Sequence, residues 1–543
     1  MNFNFHNPYT STRLPVFARN VVSTSHPLAA QAGVRIMTQG GNAVDAAIAA
    51  AAAMTICEPV SNGLGSDAFG LIWEPQDSKL HGINASGRAP QAWSPAYFQK
   101  KYGTSAMAPP KRGMDSVTIP GAVSAWAMMS ERFGKLPFEQ LLQPAIEIAE
   151  RGYLMPVVVQ EKWAAATLEL KDQPGFAANF LPWGRAPHVG ELFQFKAAAR
   201  GLRTIAATKG AALYGGEIAQ AIAKFSQENG GSHTAQDFAT YSAQWVEPIV
   251  KNYRGYTVHE IGPNGQGIAA LIALGILDKF DLTSMHIDGV DSQHVQIEAM
   301  KLAFADVYQF VAEPTSMSVT VEQMLDDAYL ASRAKLIDMK RAQDFKAGNP
   351  VKGGTIYLTA ADESGMMVSF IQSNYMGFGS GCVEPTFGVS MQNRGHGFSL
   401  DAKSPNVVAP GKRPFHTIIP AFLSRNGRPV MSFGVMGANM QPQGHLQTLV
   451  RMLDYKQSPQ AACDAPRWRY NAGLEINVEA AMNAQTVQGL KDRGHQTEVI
   501  NDSYQDFGAG QFIWRADEGQ GDAAIEGYVA ASDSRRDGLA AGF

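Results

Sequence analysis

A threonine that follows two glycines at the start of an apolar run is the residue whose setting most suggests chemistry. It is Thr355, in the stretch VKGGTIYLTAADESGMMVSFIQSNYMGFGSG that covers residues 351–381. A threonine hydroxyl is a weak nucleophile unless a base stands beside it, and an N-terminal threonine can use its own α-amine as that base. An α-amine titrates near pH ~8, so a useful neutral fraction is present at physiological pH.

Thr355 lies inside the chain, so this chemistry requires a cut between Gly354 and Thr355. Glycines at 353 and 354 tolerate the strained backbone conformations that self-cleavage before a threonine needs. We therefore expect Gly354 and Thr355 to form a cleavage site.

The same stretch predicts a hairpin that brings a second hydroxyl to the threonine. AADESGM is typical of a turn, and positions 355 and 373 are equally far from Ser364. If the two strands pair around that turn, Ser373 lies across from Thr355 with the side chains ~5 Å apart. An ordinary hairpin with two polar faces has the same spacing, and the spacing alone leaves both interpretations open.

Around this hairpin the sequence predicts long helices first and strands later. A layered α/β protein with a central sheet sandwich accounts for that order. An alanine-rich helix and an amphipathic one with a 3, 4, 3, 4 apolar spacing are the clearest elements. The predicted helices cover 43–54, 121–133, 138–151, 293–311 and 442–454, and the predicted strands cover 355–361, 366–373, 416–424 and 429–434. Residues 343–352 are expected to form a mobile loop.

The composition excludes several classes of function. The chain has 543 residues, 45% of them hydrophobic, and a formal net charge of −4, so nothing favours nucleic acid or an anionic membrane. Three distant cysteines fit neither a disulfide framework nor a zinc site. The N-terminus shows no basic segment followed by an apolar run, and we expect a cytoplasmic protein.

Two other polar stretches are weak candidates for ligand binding. His286, Asp288, Asp291 and His294 match no standard metal-binding spacing, so no metal is expected. GPNGQG at 262–267 lacks the Lys-Ser/Thr pair of a phosphate-binding loop, and Gly265 is expected to be architectural.

Seven blocks of sequence carry a resemblance to a known family. They are GGNAVDAAIAAAAAMTICEPVSNGLGSDAF (40–69), SVTIPGAVSAWAMMSERFGKLPFEQLLQPAIEIAERGY (116–153), YRGYTVHEIGPNGQGI (253–268), EAMKLAFAD (298–306), GTIYLTAADESGMMVSF (354–370), PGKRPFHTIIPA (410–421) and FGVMGANMQPQGHLQTL (433–449). In this order and from Val21 onward, the chain resembles the γ-glutamyltransferase family of N-terminal-nucleophile (Ntn) hydrolases.

The resemblance implies a fold, a maturation step and a catalytic set. The fold is an α+β four-layer αββα sandwich, cut into a large subunit, 1–354, and a small subunit, 355–543, which stay together as a heterodimer; a dimer of these heterodimers is left open. Thr355 matches the nucleophile, and Ser373 matches a threonine whose hydroxyl contacts it. Gly437 and Ala438 match two glycines whose backbone amides form the oxyanion hole. No cofactor is implied.

The sequence departs from the family at the residues that hold a γ-glutamyl group. Gly397 stands where an aspartate grips the substrate amine, and Arg394 stands where a glutamine or glutamate contributes. The asparagine beyond the nucleophile hairpin is Tyr375 here, although Asn374 adjoins it.

The serine pair and the arginine of the family are also changed. The paired serines after KRP become His416 and Thr417. The arginine that clamps the α-carboxylate is displaced: Ser86 takes its place, and Arg88 lies two residues before Pro90. For Arg88 and Arg394 the alternative to a substrate role is a structural salt bridge.

These departures predict a substrate with a carboxylate and no α-amine. A buried ammonium without its carboxylate partner loses a charge-assisted hydrogen bond of roughly 1.5–3 kcal/mol and its hydration as well. Arg88, Arg394 and His416 are expected to keep or add positive charge. An oxamate-type amidohydrolase is favoured, with a glutaryl or cephalosporin acylase and a true γ-glutamyltransferase or glutathione hydrolase as alternatives. A non-catalytic binding homologue is the alternative from another class.

Overall fold

The computed structural model describes residues 9, 13–345, 354–501, 507–518 and 525–543. Gly353 and most of the loop expected at 343–352 lie outside the described residues.

The strands are β1 (Val16–Ala18), β2 (Val21–Thr24), β3 (Asp67–Glu74), β4 (Lys79–Ala85), β5 (Tyr153–Leu154), β6 (Leu192–Phe193), β7 (Gln244–Val246), β8 (Ile249–Tyr253), β9 (Tyr256–Glu260), β10 (Gly354–Ala361), β11 (Met367–Tyr375), β12 (Val383–Glu384), β13 (Val389–Ser390), β14 (Ala421–Arg425), β15 (Arg428–Met436), β16 (Trp468–Ala472), β17 (Glu475–Glu479), β18 (Gln496–Ile500), β19 (Ala509–Arg515), β20 (Tyr528–Ser532) and β21 (Leu539–Gly542).

The helices are α1 (Pro27–Thr38), α2 (Ala43–Cys57), α3 (Pro95–Tyr102), α4 (Ala122–Phe133), α5 (Phe138–Arg151), α6 (Val157–Leu170), α7 (Phe176–Phe180), α8 (Lys196–Ala207), α9 (Ala211–Tyr214), α10 (Glu217–Glu228), α11 (Ala235–Ala239), α12 (Ile268–Leu277), α13 (Val290–Phe310), α14 (Val321–Met324), α15 (Asp327–Ala334), α16 (Met440–Leu453), α17 (Pro459–Asp464) and α18 (Ala484–Asp492).

Two seven-stranded sheets form the centre of the molecule. One has the order β1-β20-β19-β15-β14-β9-β8, and the other has the order β21-β2-β10-β11-β3-β4-β7. A shared apolar layer lies between them, to which Phe69, Tyr357 and Ile371 contribute from one sheet and Phe422 and Ile513 from the other. Gly434 allows this close approach, because a Cβ there would stand 2.5 Å from the Tyr357 ring.

Helices cover the outer face of each sheet and complete the four layers. Helix α2 is buried along its whole length and packs between α1, α5 and strands β10 and β11. Its run of alanines permits this, since small side chains let a helix lie close to its neighbours. Helices α12, α13 and α16 form the opposite layer, where α16 lies on β15. The predicted αββα sandwich is confirmed.

Most predicted elements are present, with one clear error. The strand predicted at 416–424 begins only at Ala421. The backbone of His416 instead pairs with the loop at Asn264–Gln266, because it accepts from Gln266 N (2.9 Å) and donates to Asn264 O (2.9 Å). Within the described ranges, no helix combines the length and the apolar character needed to cross a membrane.

Candidate active site

The hairpin of β10 and β11 places two hydroxyl groups in contact. Ile356 pairs with Gln372, whereas Gly354 pairs with Tyr375, so a bulge accommodates one extra residue next to Thr355. Thr355 Oγ1 lies 3.2 Å from Ser373 Oγ, and both residues are buried. The expected contact between the two side chains is confirmed.

Residues at the end of β11 fix the position of the Ser373 hydroxyl. The Tyr375 N–H donates to Ser373 Oγ over 2.8 Å, and Tyr375 has φ +77°, a left-handed conformation unusual for a side chain of this size. The amide of Asn374 contacts protein at both ends, since Oδ1 accepts from Ser66 (2.8 Å) and Nδ2 donates to Ser390 (3.4 Å). A role of Asn374 in substrate binding stays a prediction.

The turn between β15 and α16 presents two backbone donors. Gly437 has φ +127° and Ala438 has φ +53°, the latter a strained conformation of order 1–3 kcal/mol for a non-glycine residue. Their carbonyls accept from Met440 N (2.9 Å) and Gln441 N (3.1 Å). Neither N–H donates to a protein acceptor within the described residues, so both are available to an oxyanion.

A glutamine in the loop before α12 supports this turn, and sequence reasoning missed it. The side-chain amide of Gln266 donates to Ala438 O (2.9 Å) and to Thr417 O (2.6 Å), while its Oε1 has no partner among the residues described. Gln266 is fully buried and therefore ties the oxyanion turn to the segment around Thr417. The signal was present in GPNGQG, where a polar side chain stands between two glycines.

Arg394 is buried without a carboxylate partner among the residues that the structure describes. Its Nη1 donates to Thr417 Oγ1 (2.8 Å), and its guanidinium carbon lies 4.0 Å from the centre of the Tyr375 ring. Its Nε and Nη2 have no hydrogen-bond partner in the described part of the chain, although the residue is 1% exposed. Burial lowers the pKa of Arg394 to about 10, so the group stays cationic at neutral pH. Two unpaired donors on a buried cation are arranged to receive an anion.

The expectation that His416 adds positive charge was wrong. Its Nε2 lies 2.9 Å from Asp67 Oδ2, and its Nδ1 accepts from Ile418 N (3.4 Å), so Nε2 carries the proton. Complete burial, together with the neighbouring Arg394 charge, holds the pKa of His416 well below its usual range. The imidazole is therefore neutral.

Asp67 is the second residue that sequence reasoning missed. It begins β3 and brings a carboxyl group to His416 and toward Arg394. Burial raises the pKa of Asp67 to about 7, against the opposing effect of the Arg394 charge. This group can change its charge near neutral pH.

Arg88 and Gly397 differ from Arg394 in what they offer a ligand. Arg88 Nη1 donates to Glu313 Oε1 (3.2 Å) and to Gly411 O (2.8 Å), so this guanidinium already has a carboxylate partner. That geometry is the structural salt bridge considered above as the alternative. A Cβ at Gly397 would meet only Phe415 O at 3.5 Å, so this position provides space and no carboxylate.

Comparison with known proteins decides the family. A family model described as gamma-glutamyltranspeptidase matches residues 29–543. The chain belongs to the gamma-glutamyltranspeptidase family. It is an Ntn-type enzyme, since its relatives in that family are named hydrolases and acylases.

Two curated relatives and one solved structure are similar to this chain over nearly its whole length. The glutathione hydrolase-like YwrD proenzyme of Bacillus subtilis is 35% identical over 97% of this chain and 98% of its own. The oxamate amidohydrolase proenzyme of Klebsiella pneumoniae is 34% identical over 95% and 97%. The cephalosporin acylase structure from Bacillus halodurans is 46% identical, has a TM-score of 0.93, and covers 100% of this chain and 99% of that one.

Proposed function

We propose that this chain is an autoprocessed amidohydrolase whose nucleophile is Thr355. Cleavage between Gly354 and Thr355 gives subunits 1–354 and 355–543, which remain associated as a heterodimer. The names of the relatives as proenzymes support this maturation. The contact between Thr355 and Ser373 supports the choice of nucleophile.

The proposed reaction passes through an ester. The Thr355 hydroxyl attacks the amide carbonyl and gives its proton to the α-amine, while the N–H groups of Gly437 and Ala438 stabilise the oxyanion. The tetrahedral intermediate collapses, the α-amine returns the proton to the leaving nitrogen, and an acyl ester of Thr355 remains. Water then attacks the ester, the α-amine takes its proton, and the free acid leaves with the threonine restored.

The substrate is proposed to carry a carboxylate on its acyl part and no α-amine. The observation that carries this proposal is Arg394, a buried cation with two unpaired donors. The guanidinium carbon lies 4.0 Å from the centre of the Tyr375 ring, and the backbone N–H of the same tyrosine donates to the Ser373 hydroxyl. Tyr375 therefore connects Arg394 to the hydroxyl that contacts Thr355. An oxamate-type amide is preferred, and the similarity to the oxamate amidohydrolase proenzyme supports this choice.

A glutaryl or cephalosporin acylase is the second candidate. The observation in its favour is the 46% identity and the TM-score of 0.93 to the cephalosporin acylase structure. A glutathione hydrolase is less favoured, because Gly397 provides no carboxylate for the α-amine of a γ-glutamyl group. The cytoplasmic location expected from the sequence stays a prediction.

A denaturing gel of the purified protein tests self-cleavage. Processing gives bands of about 38 and 20 kDa, in proportion to 354 and 189 residues. Thr355→Ser keeps a hydroxyl and should still process, whereas Thr355→Ala should leave one full-length band. A full-length band in the wild-type protein would support the non-catalytic homologue instead.

A substrate panel tests the acyl specificity. The panel contains four compounds that differ in the acyl group. Oxamate carries a short acid, glutaryl anilide a longer acid, γ-glutamyl anilide an acid with an α-amine, and butyryl anilide no acid. The proposal expects turnover of an acid without an amine to exceed turnover of the other two anilides by at least tenfold. Preferred turnover of γ-glutamyl anilide would show that the argument from Gly397 is wrong.

A further inference from the structure

A second group of buried titratable side chains lies outside the residues described above. His294, Glu298 and Lys301 follow one another along one side of α13, and His495 immediately precedes β18. All four are almost completely buried. Because charged groups are rarely buried without partners, the hydrogen bonds of these four side chains show which part of the chain they bind.

The cluster resembles a metal site but already contains a cation. The nearest ligand atoms of His294, Glu298 and His495 lie within 4.8 Å of one another, a set that suits a divalent ion. The ammonium of Lys301, however, donates to Glu298 Oε1 (2.7 Å) and lies 3.4 Å from His495 Nδ1. The metal set considered from sequence does not converge either, since Asp288 pairs with Arg451 and Asp291 pairs with Arg493.

The hydrogen bonds of the cluster run in one direction and end on backbone carbonyls. His294 Nε2 donates to Asp338 O (2.9 Å), so its Nδ1 must accept, and it does so from His495 Nε2 (2.8 Å). His495 Nδ1 then accepts from Lys301. Both imidazoles are neutral, and burial lowers the pKa of His294 to about 4.

The buried Lys301–Glu298 pair binds the backbone of Gln343 through the two peptide groups on either side of its Cα. Glu298 Oε2 accepts from Gln343 N (3.1 Å), and Lys301 donates to Gln343 O (3.1 Å). The neighbouring Ala342 N donates to Arg493 O (2.7 Å). Asp338, Ala342 and Gln343 are thus held by side chains and one backbone carbonyl that lie elsewhere in the chain.

This segment is close in sequence to the proposed cleavage site. Gln343 stands eleven residues before Gly354. Eleven residues extend to at most about 40 Å, so a fixed Gln343 limits how far the chain before the junction can move. Release of Gln343 would remove one hydrogen-bond partner from the buried Lys301 ammonium and one from the buried Glu298 Oε2. Each loss would cost about 1–3 kcal/mol.

We propose that the cluster of His294, Glu298, Lys301 and His495 is an internal binding site for the 338–343 segment. It is the anchor of the junction in the uncut chain, and after cleavage it retains the end of the large subunit as a bound peptide. The second role rests on the proposed function, whereas the first does not. Lys301 and Glu298 are positioning residues, because they act on the junction through the Gln343 backbone.

Trypsin cleavage after Arg341 tests the anchor. Arg341 is exposed and lies two residues before Gln343, so trypsin can cut there only when the 338–343 segment is locally released. The double variant Lys301→Met/Glu298→Met removes both charges together and leaves neither unpaired. We expect cleavage after Arg341, followed by mass spectrometry, to be at least tenfold faster than in the wild-type protein.

Lys251→Met is the matched control. Lys251 also donates to a backbone carbonyl, Leu325 O (2.9 Å), and to an aspartate, Asp327 (2.8 Å), away from the anchored segment. This variant should cut after Arg341 at the wild-type rate. The anchor is refuted if the double variant stays within twofold of the wild type, or if its cleavage rises equally throughout the chain.

The same experiment in the Thr355→Ala background separates the anchor from the proposed function. If the protein with Thr355 intact does not process itself, its gel shows one full-length band, and the trypsin result still decides whether the anchor exists. If the protein with Thr355 intact does process itself, the double variant in that background should lengthen the half-time of processing at least threefold. The kcat of its processed fraction should be unchanged. An unchanged half-time would refute the role of the anchor at the junction.

Discussion

Replacement of Arg394 by methionine is the sharpest test of the substrate proposal. Methionine preserves most of the volume beside Tyr375 and removes the charge and the two unpaired donors. The variant should fold, since Arg394 is a buried cation with no carboxylate partner among the described residues. A thermal melt within a few degrees of the wild type would confirm this.

The size of the effect follows from the donors that are lost. A hydrogen bond from a charged donor contributes about 1.5–3 kcal/mol, and Nε and Nη2 can reach one carboxylate together. The nearby Asp67 offsets part of that attraction when it is ionised. A loss of about 3 kcal/mol corresponds to roughly 100-fold in kcat/KM for a substrate that carries an acid.

The assay compares two anilides that differ only in the acid. Glutaryl anilide should lose roughly 100-fold in kcat/KM, whereas an anilide of similar length without the acid should change by less than about threefold. Arg88→Met is the matched arginine control and should leave the ratio of the two substrates unchanged. An equal loss for both anilides would refute the assignment of the carboxylate to Arg394.

Four further predictions concern Gln266, Asp67 and Asp533. Gln266→Ala should lower kcat about 10- to 100-fold with little change in KM, because it releases the Ala438 carbonyl behind the oxyanion donors; an unchanged kcat would contradict this role. The KM for an acid substrate should rise above pH 7, where Asp67 ionises and offsets Arg394, and Asp67→Asn should flatten that profile. Because the pKa of Asp67 is raised to about 7 in the folded protein, its contribution to stability is complete at low pH and is lost as the pH rises toward 7. The melting temperatures of the wild type and of Asp67→Asn should therefore diverge as the pH rises toward 7. Asp533→Asn should destabilise by about 3–5 kcal/mol in chemical denaturation, because two buried arginines lose their shared partner, whereas the exposed pair of Lys79 and Glu247 should contribute under about 1 kcal/mol.

The hairpin could be predicted from sequence because its information is local. The turn sequence sets the register, and Ala361–Met367 and Ile356–Gln372 pair symmetrically around Ser364 as expected. The order of helices first and strands later likewise indicated a layered α/β protein, whereas the four αββα layers were implied by the family resemblance. The bulge beside Thr355 could not be predicted, since it depends on the left-handed Tyr375 at the far end of β11.

The electrostatics of the site could not be predicted because the partners are remote in sequence. His416 meets Asp67 from 349 residues away, and Arg88 meets Glu313 from 225 residues away. A count of basic residues therefore gave three positive charges where the structure leaves one, Arg394, without a carboxylate partner among the residues it describes. The role of Gln266 could not be predicted either, because it lies in a loop whose sequence has no periodicity.

Strands β10 and β11 lie between β2 and β3 of their sheet. Under the proposed cleavage, β10 and β11 belong to the small subunit, whereas the strands that flank them, β2 and β3, belong to the large subunit. Folding of the uncut chain is a first-order event, whereas the same sheet in the processed protein can re-form only when two chains meet. The midpoint of refolding should then depend on protein concentration, and the lifetime of the processed protein should be set by its rate of unfolding rather than by an equilibrium.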